Sequence, residues 1–240
     1  MAPLPAPSIS VHASPTEAER RRGFGPRLRA LHARIGKAHH QAEGMAFSRS
    51  LLEGQAEPLQ LAALIRALAP AYALLERQAP ALADHLGGGA IPWADLARGR
   101  ALDHDLAVLS ALAATPDSPA AAAWLERLEG LADQAPHRLI AHGYVRYGGD
   151  LSGGQQLGQQ ANRILARHGI PALSVWTFER PVEALKRDLH DGLEAMRLSP
   201  EQEQELLEEA EQAFLLTQRL LEELGAISPL DRAAAVALGS

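Results

Sequence analysis

From Pro26 onward, apolar side chains recur at every third or fourth position. The first stripe is Leu28, Leu31, Ile35, Ala38 and Ala42, the period of a helix with one buried face. Gly44 interrupts it, and Met45, Phe47, Leu51 and Leu52 carry the pattern on to Gly54. Pro58 opens a longer apolar helix through Leu61, Leu64, Ile65, Leu68, Tyr72, Leu74 and Leu75, with breaks expected at Pro80 and at Gly87-Gly88-Gly89. Residues 92–114 predict a helix or a helix pair jointed near Gly99. A turn at 115–119 starts the next helix, over residues 120–132. Pro136 leads a helix into a glycine-rich stretch, and a further helix over 159–167 is closed by Gly169 and Pro171. Another opens at Pro181 and ends near Leu198.

Ser199-Pro200-Glu201-Gln202 combines an N-cap Ser, Pro at the first helical position and Gln at the capping-box position. Leu206, Ala210, Phe214, Thr217, Leu221 and Leu224 then form the last stripe. β-branched residues are few and strict alternation is absent, so no strand is expected. The pattern predicts an all-α fold with a single domain over residues 25–225. A Pro-rich tail at 1–24 and a loosely held tail at 226–240 flank it.

Composition narrows the picture. The 240 residues are enough for one large helical domain. Apolar residues make up 47% but aromatics only 4%, so Ala and Leu fill the core and helices pack closely. A net charge of −6 and a pI near 5.9 argue against a general nucleic-acid binder. The absence of cysteine excludes disulfides, zinc–thiolate sites, iron–sulfur clusters and a thiolate-ligated haem. No run approaches 18 consecutive apolar residues, so no membrane span is expected. The first residues, Met1 to Pro7, lack a basic start and an apolar core, so no secretory signal is expected. A cytoplasmic protein, monomeric by default, is the simplest expectation.

The chemistry concentrates on Tyr144-Val145-Arg146-Tyr147-Gly148-Gly149-Asp150-Leu151-Ser152-Gly153-Gly154-Gln155. Glycines weaken a helix and permit a kink. They also leave backbone without Cβ atoms, against which a flat ligand can lie, and Asp150 stands in the middle of that surface. Leu151 to Gln155 also spells the signature of ABC-transporter ATPases. A phosphate-cradling G-x-x-x-x-G-K-[ST] loop is missing: the lone Gly36-Lys37 is followed by Ala38 and preceded five residues earlier by Leu31. Nucleotide hydrolysis is therefore disfavoured.

Among ten histidines, His39 and His40 stand out because Glu43 follows at i+4 and i+3. The i+4 spacing puts Glu43 on the face of His39, where a carboxylate can fix the imidazole tautomer and strengthen it as a metal ligand. His40 competes for the same carboxylate on spacing alone. No E-x-x-H occurs, so a di-iron bundle site is absent.

His39-His40-Gln41-Ala42-Glu43 together with Tyr144 to Gln155 resembles the biliverdin-producing heme oxygenase family, whose proximal and distal helices carry such motifs. Leu96-Ala97-Arg98, Leu102 with Asp105-Leu106, and Ala213 through Leu224 also fit, and the likeness spans about residues 26 to 224. The resemblance implies a multi-helix bundle with haem b sandwiched between a proximal and a kinked distal helix. It implies His39 as the axial ligand of the haem iron and Glu43 as its partner, with His40 a departure from the family pattern. Gly149, Gly153 and Gly154 would be the glycines against the haem, and Phe214 part of the pocket wall. Asp150 and Arg146 would be the catalytic distal residues. Tyr144 would lie near a propionate, and His32, Lys186 and His190 would stand where relatives carry basic propionate contacts.

The reaction so implied cleaves haem with O2 to biliverdin, carbon monoxide and ferrous iron, through attack of a ferric hydroperoxide on a meso carbon. Electrons would come from an external reductase or ferredoxin. The alternative is a haem-binding or haem-transfer protein that keeps the pocket without the reaction. Asp150 and Arg146 beside the glycines argue for the enzyme, since binding alone needs His39 and an apolar slot. A third reading is another enzyme of the same helical class, thiaminase-like or quinone-dependent, which has no use for this pairing of His and glycines.

Overall fold

The computed structural model describes residues 24–112 and 115–227, and most of the two expected tails lies outside them. All regular structure among the described residues is helical. Helix α1 is Pro26–Glu43, α2 Ala46–Leu52, α3 Pro58–His85, α4 Trp93–Leu96 and α5 Gly99–Val108. After these come α6 Pro119–Gln134, α7 Leu139–Leu151, α8 Gly154–Arg167, α9 Val182–Ala195 and α10 Pro200–Ala226.

The long helix α10 is the spine against which the others are ordered. Its start is the expected capping box: the Ser199 side chain accepts from the Gln202 N–H, and the Gln202 side chain reaches back to the Ser199 N–H. Along α1, Arg27 pairs with Glu203, Arg34 with Glu211, and the Ala38 carbonyl accepts from Gln218. Along α7, Arg138 pairs with Glu205 and His142 with Glu209. Both partner series rise with residue number, so α1, α7 and α10 run parallel. Tyr144 on α7 and His32 on α1 meet directly, Oη to Nε2 at 3.1 Å.

Helix α3 passes through the middle of the core, with Ala71, Tyr72, Leu75, Ala79 and Ala83 almost wholly buried. The break expected at Pro80 does not occur, and the helix runs through both Pro70 and Pro80. An interior proline costs about 3 kcal/mol. Burial of the surrounding Ala and Leu residues, each large aliphatic contributing about 1.5–3 kcal/mol, outweighs it. By length and composition alone α3 could cross a membrane, yet most of it is buried inside the fold.

The glycine-rich stretch is more helical than its composition suggests. Gly148 and Gly149 lie within α7, and the interruption is confined to Ser152 and Gly153, with Ser152 at ψ −92°. Helix α8 resumes at Gly154, five residues before the expected start.

Candidate functional site

His39 lies on the last turn and a half of α1. Its ring packs at a steep angle on Phe214 of α10, with centroids 5.6 Å apart, and its side chain stays 53% exposed. Glu43 approaches Nδ1 at 3.6 Å, longer than a hydrogen bond, which leaves Nε2 as the nitrogen turned away from the carboxylate. His40 is 91% exposed and lies 4.0 Å from the other oxygen of Glu43. The packing against Phe214 therefore separates the two histidines that spacing alone left level.

Across the bundle, Gly149 and Gly153 are exposed and sit one turn apart on either side of the helix interruption. A Cβ built on either would meet nothing within 4 Å. Gly36, on α1, is equally open. From the His32–Tyr144 contact, His39 is seven residues further along α1 and Asp150 six further along α7. At 1.5 Å per residue these are advances of about 10.5 and 9 Å. The imidazole and the bare backbone thus stand at nearly the same height on parallel helices.

Asp150 is turned into the protein rather than onto that open face. It is buried, and the Tyr72 hydroxyl donates to its Oδ2 at 2.6 Å. Arg146, one turn earlier, donates to the Tyr72 hydroxyl at 3.5 Å. Its guanidinium lies between the rings of Tyr72 and Trp124, 5.9 and 5.7 Å from their centroids. Burial pushes the Asp150 carboxyl upward, while Arg146, the Tyr72 hydrogen bond and Arg98 pull the other way without cancelling it. Tyr72 was read from sequence only as a core position of an apolar stripe. The available signal was its polar tip, since a buried tyrosine hydroxyl needs a partner. A second tyrosine joins this cluster: Tyr147 packs edge-on to Tyr72 and reaches Glu76 at 3.4 Å.

A third group lies at the early end of α1 and α7. Phe24 stacks on His32 at 4.8 Å and meets His190 edge-on at 5.1 Å, while Tyr144 holds the far side of His32. Lys186, on the same helix as His190, is partly exposed and pairs with Glu183 at 3.5 Å. Burial, with His32 and Lys186 nearby, depresses His190 to about 4, so its imidazole is neutral at pH 7. Of Tyr144, His32, Lys186 and His190, the residues that the resemblance puts near the propionates, the first two touch and His190 joins them through Phe24.

Gly154 departs from its expected place. The space a Cβ would take there is filled by the Trp176 indole, at 2.9 Å. Being buried, Gly154 does not share the open surface of Gly149 and Gly153. Its lack of a side chain accommodates a tryptophan rather than a ligand.

The fold and this site define an all-α protein that presents an imidazole on one helix and uncovered backbone on a parallel one. A family model for heme oxygenase matches residues 27–223. Heme oxygenase 1 of Pongo abelii is 31% identical over 81% of this chain and 70% of its own length. The solved structure of heme oxygenase from Leptospira interrogans superposes with a TM-score of 0.73 at 28% identity, over 83% of this chain and all of that one. Heme oxygenase-1 from Synechocystis, crystallised in complex with heme, gives 0.76 at 25% identity, over 90% and 97%. The chain belongs to the heme oxygenase family.

Proposed function

We propose that this chain oxidatively opens haem to biliverdin, releasing carbon monoxide and ferrous iron, with His39 as axial ligand and Asp150 as the distal proton-handling group. The observation that carries the reading is the buried Tyr72–Asp150–Arg146 cluster directly behind the open glycine backbone. A protein that only binds or passes on haem has no use for a carboxylate held in place by a tyrosine and an arginine beside its ligand surface.

The residues fit the substrate. His39 offers Nε2 while Glu43 faces Nδ1 and favours a proton there. Gly149 and Gly153 let the macrocycle lie against backbone, and Phe214 packs on the His39 ring and steadies it. Lys186, His190, His32 and Tyr144 form the polar end suited to the two propionates, with Lys186 the fixed positive charge. The haem iron supplies the binding and reduction of dioxygen. Asp150 holds its carboxyl where ordered water can carry a proton to the distal face, Tyr72 fixes its rotamer, and Arg146 supplies positive charge that favours its ionised form against burial. Electrons come from an external reductase or ferredoxin. The protein works as a monomer in the cytoplasm, through one domain over residues 25–225.

The test is Asp150→Ala. The variant is expected to bind hemin with an unchanged Soret maximum and to give little or no bilin when reductant is added. A normal biliverdin yield from it would remove Asp150 from the mechanism.

A further inference from the structure

We infer that Trp176 is a positioning residue, a wedge that sets the bend of the distal helix and thereby which edge of the substrate is attacked; the inference rests on the heme oxygenase reading. The indole is buried against α8 at two glycines one turn apart. A Cβ on Gly154 would come within 2.9 Å of Trp176 Cδ1, and one on Gly158 within 3.0 Å of its Cβ. Any other residue at either position forces the ring or the helix to move. Gln155, between the two, donates to the Trp176 carbonyl at 2.9 Å and to the Asp150 carbonyl at 3.2 Å. One amide therefore ties the wedge to the last turn of α7, across the interruption at Ser152 and Gly153.

The wedge is itself anchored. Residues 173–178 form no regular helix, yet Asp105 accepts from the Ser174 N–H at 2.8 Å, the Ser174 hydroxyl at 2.9 Å and the Val175 N–H at 2.9 Å. Past the tryptophan in sequence, buried Arg98 donates to the Thr177 carbonyl at 2.6 Å and lies over the Phe178 ring at 3.9 Å. A segment fixed on both sides of one tryptophan makes that side chain a stop rather than loose filling. Gly149 lies on one side of the bend and Gly153 within it, so the angle of α8 decides how the two open glycines stand towards His39. A smaller residue at 176 lets α8 settle inward and widens the distal space; a Cβ at Gly158, at the same contact, pushes α8 the opposite way.

The experiment uses the full chain loaded with ferric haem, comparing wild type with Trp176→Ala, Trp176→Phe and Gly158→Ala. Its readouts are hemin affinity, the pH dependence of the ferric spin state by absorbance and electron paramagnetic resonance, and the bilin isomers separated by chromatography. Trp176→Ala and Gly158→Ala are expected to bind hemin within about threefold of wild type. Both should move the spin-state transition by at least about half a pH unit and yield isomers that are minor or absent in wild type. Trp176→Phe, which keeps an aromatic ring, should restore the wild-type pattern. If Trp176→Ala is not stable enough to load, Gly158→Ala decides, because it retains the tryptophan. Wild-type spin behaviour and isomer ratio in a folded, haem-loaded variant of either kind would reduce Trp176 to core packing. Failure of the wild type itself to produce bilin would defeat the enzymatic reading, while the spin-state comparison would still decide the role of Trp176.

Discussion

Tyr72 carries more of the site than its place on an apolar stripe suggests. Its hydroxyl is the donor to Asp150 at 2.6 Å, and its burial and that of the carboxylate leave few substitutes for the bond. Removing one partner of a hydrogen bond to a charged group costs about 1.5–3 kcal/mol. Tyr72→Phe should lower stability at pH 7 by that amount in urea titration and leave hemin affinity unchanged. Bilin formation should slow, because the freed carboxylate, already pushed upward by burial, loses a group that favours its ionised form. An unchanged turnover rate would show that Asp150 needs no help from Tyr72. The sequence displayed Asp150 plainly, through the glycines around it. It hid Tyr72, because a tyrosine at helical spacing among leucines reads as core until its hydroxyl has been followed to a partner.

At the scale of elements, the glycines of the distal helix divide by what lies above their α-carbons. Gly149 faces open space, whereas Gly154 faces an indole. Alanine in place of glycine stabilises a helix interior by about 0.8–1 kcal/mol, so Gly149→Ala should leave the melting temperature equal or higher while weakening hemin binding. Gly154→Ala should do the reverse first: the fold loses stability because the methyl collides with Trp176. Calorimetry and hemin titration on the two variants separate these outcomes. Helix boundaries were legible where local chemistry fixes them, as at the start after Ser199 and the end at Gly44. Pro80 misled because tertiary burial of α3 overrides a local penalty that sequence shows in isolation. Gly154 misled for a related reason: its packing partner, Trp176, is 22 residues away and carries no periodic signal.

Across the whole molecule, α6, α7 and α10 are tied by a buried polar knot. Glu209 of α10 accepts from His142 of α7 at 3.0 Å and from Arg127 of α6 at 2.5 Å. The Trp124 indole donates to His142 Nδ1 at 3.2 Å, which puts the imidazole proton on Nε2, towards the carboxylate. Burial alone would raise Glu209, but the His142 and Arg127 hydrogen bonds more than reverse it and hold the carboxyl at about 2, against an ordinary value of 4.5. The folded state therefore binds this proton more weakly than the unfolded chain. The stabilisation is fully present above about pH 4.5 and is lost as pH falls towards 2. His142, depressed by burial, acts in the same sense, since below about pH 6.5 the unfolded chain takes up a proton that the folded one refuses. Glu209→Gln should thus cost about 1.5–3 kcal/mol at pH 7, the usual worth of hydrogen bonds to a charged group, because Arg127 is half exposed and no charge is left stranded in the core. The gap to wild type should narrow steadily in urea titrations at pH 4 and pH 3. A gap that stayed constant with pH would mean that Glu209 serves by shape rather than by charge. A gap that widened in acid would reverse the assigned sign.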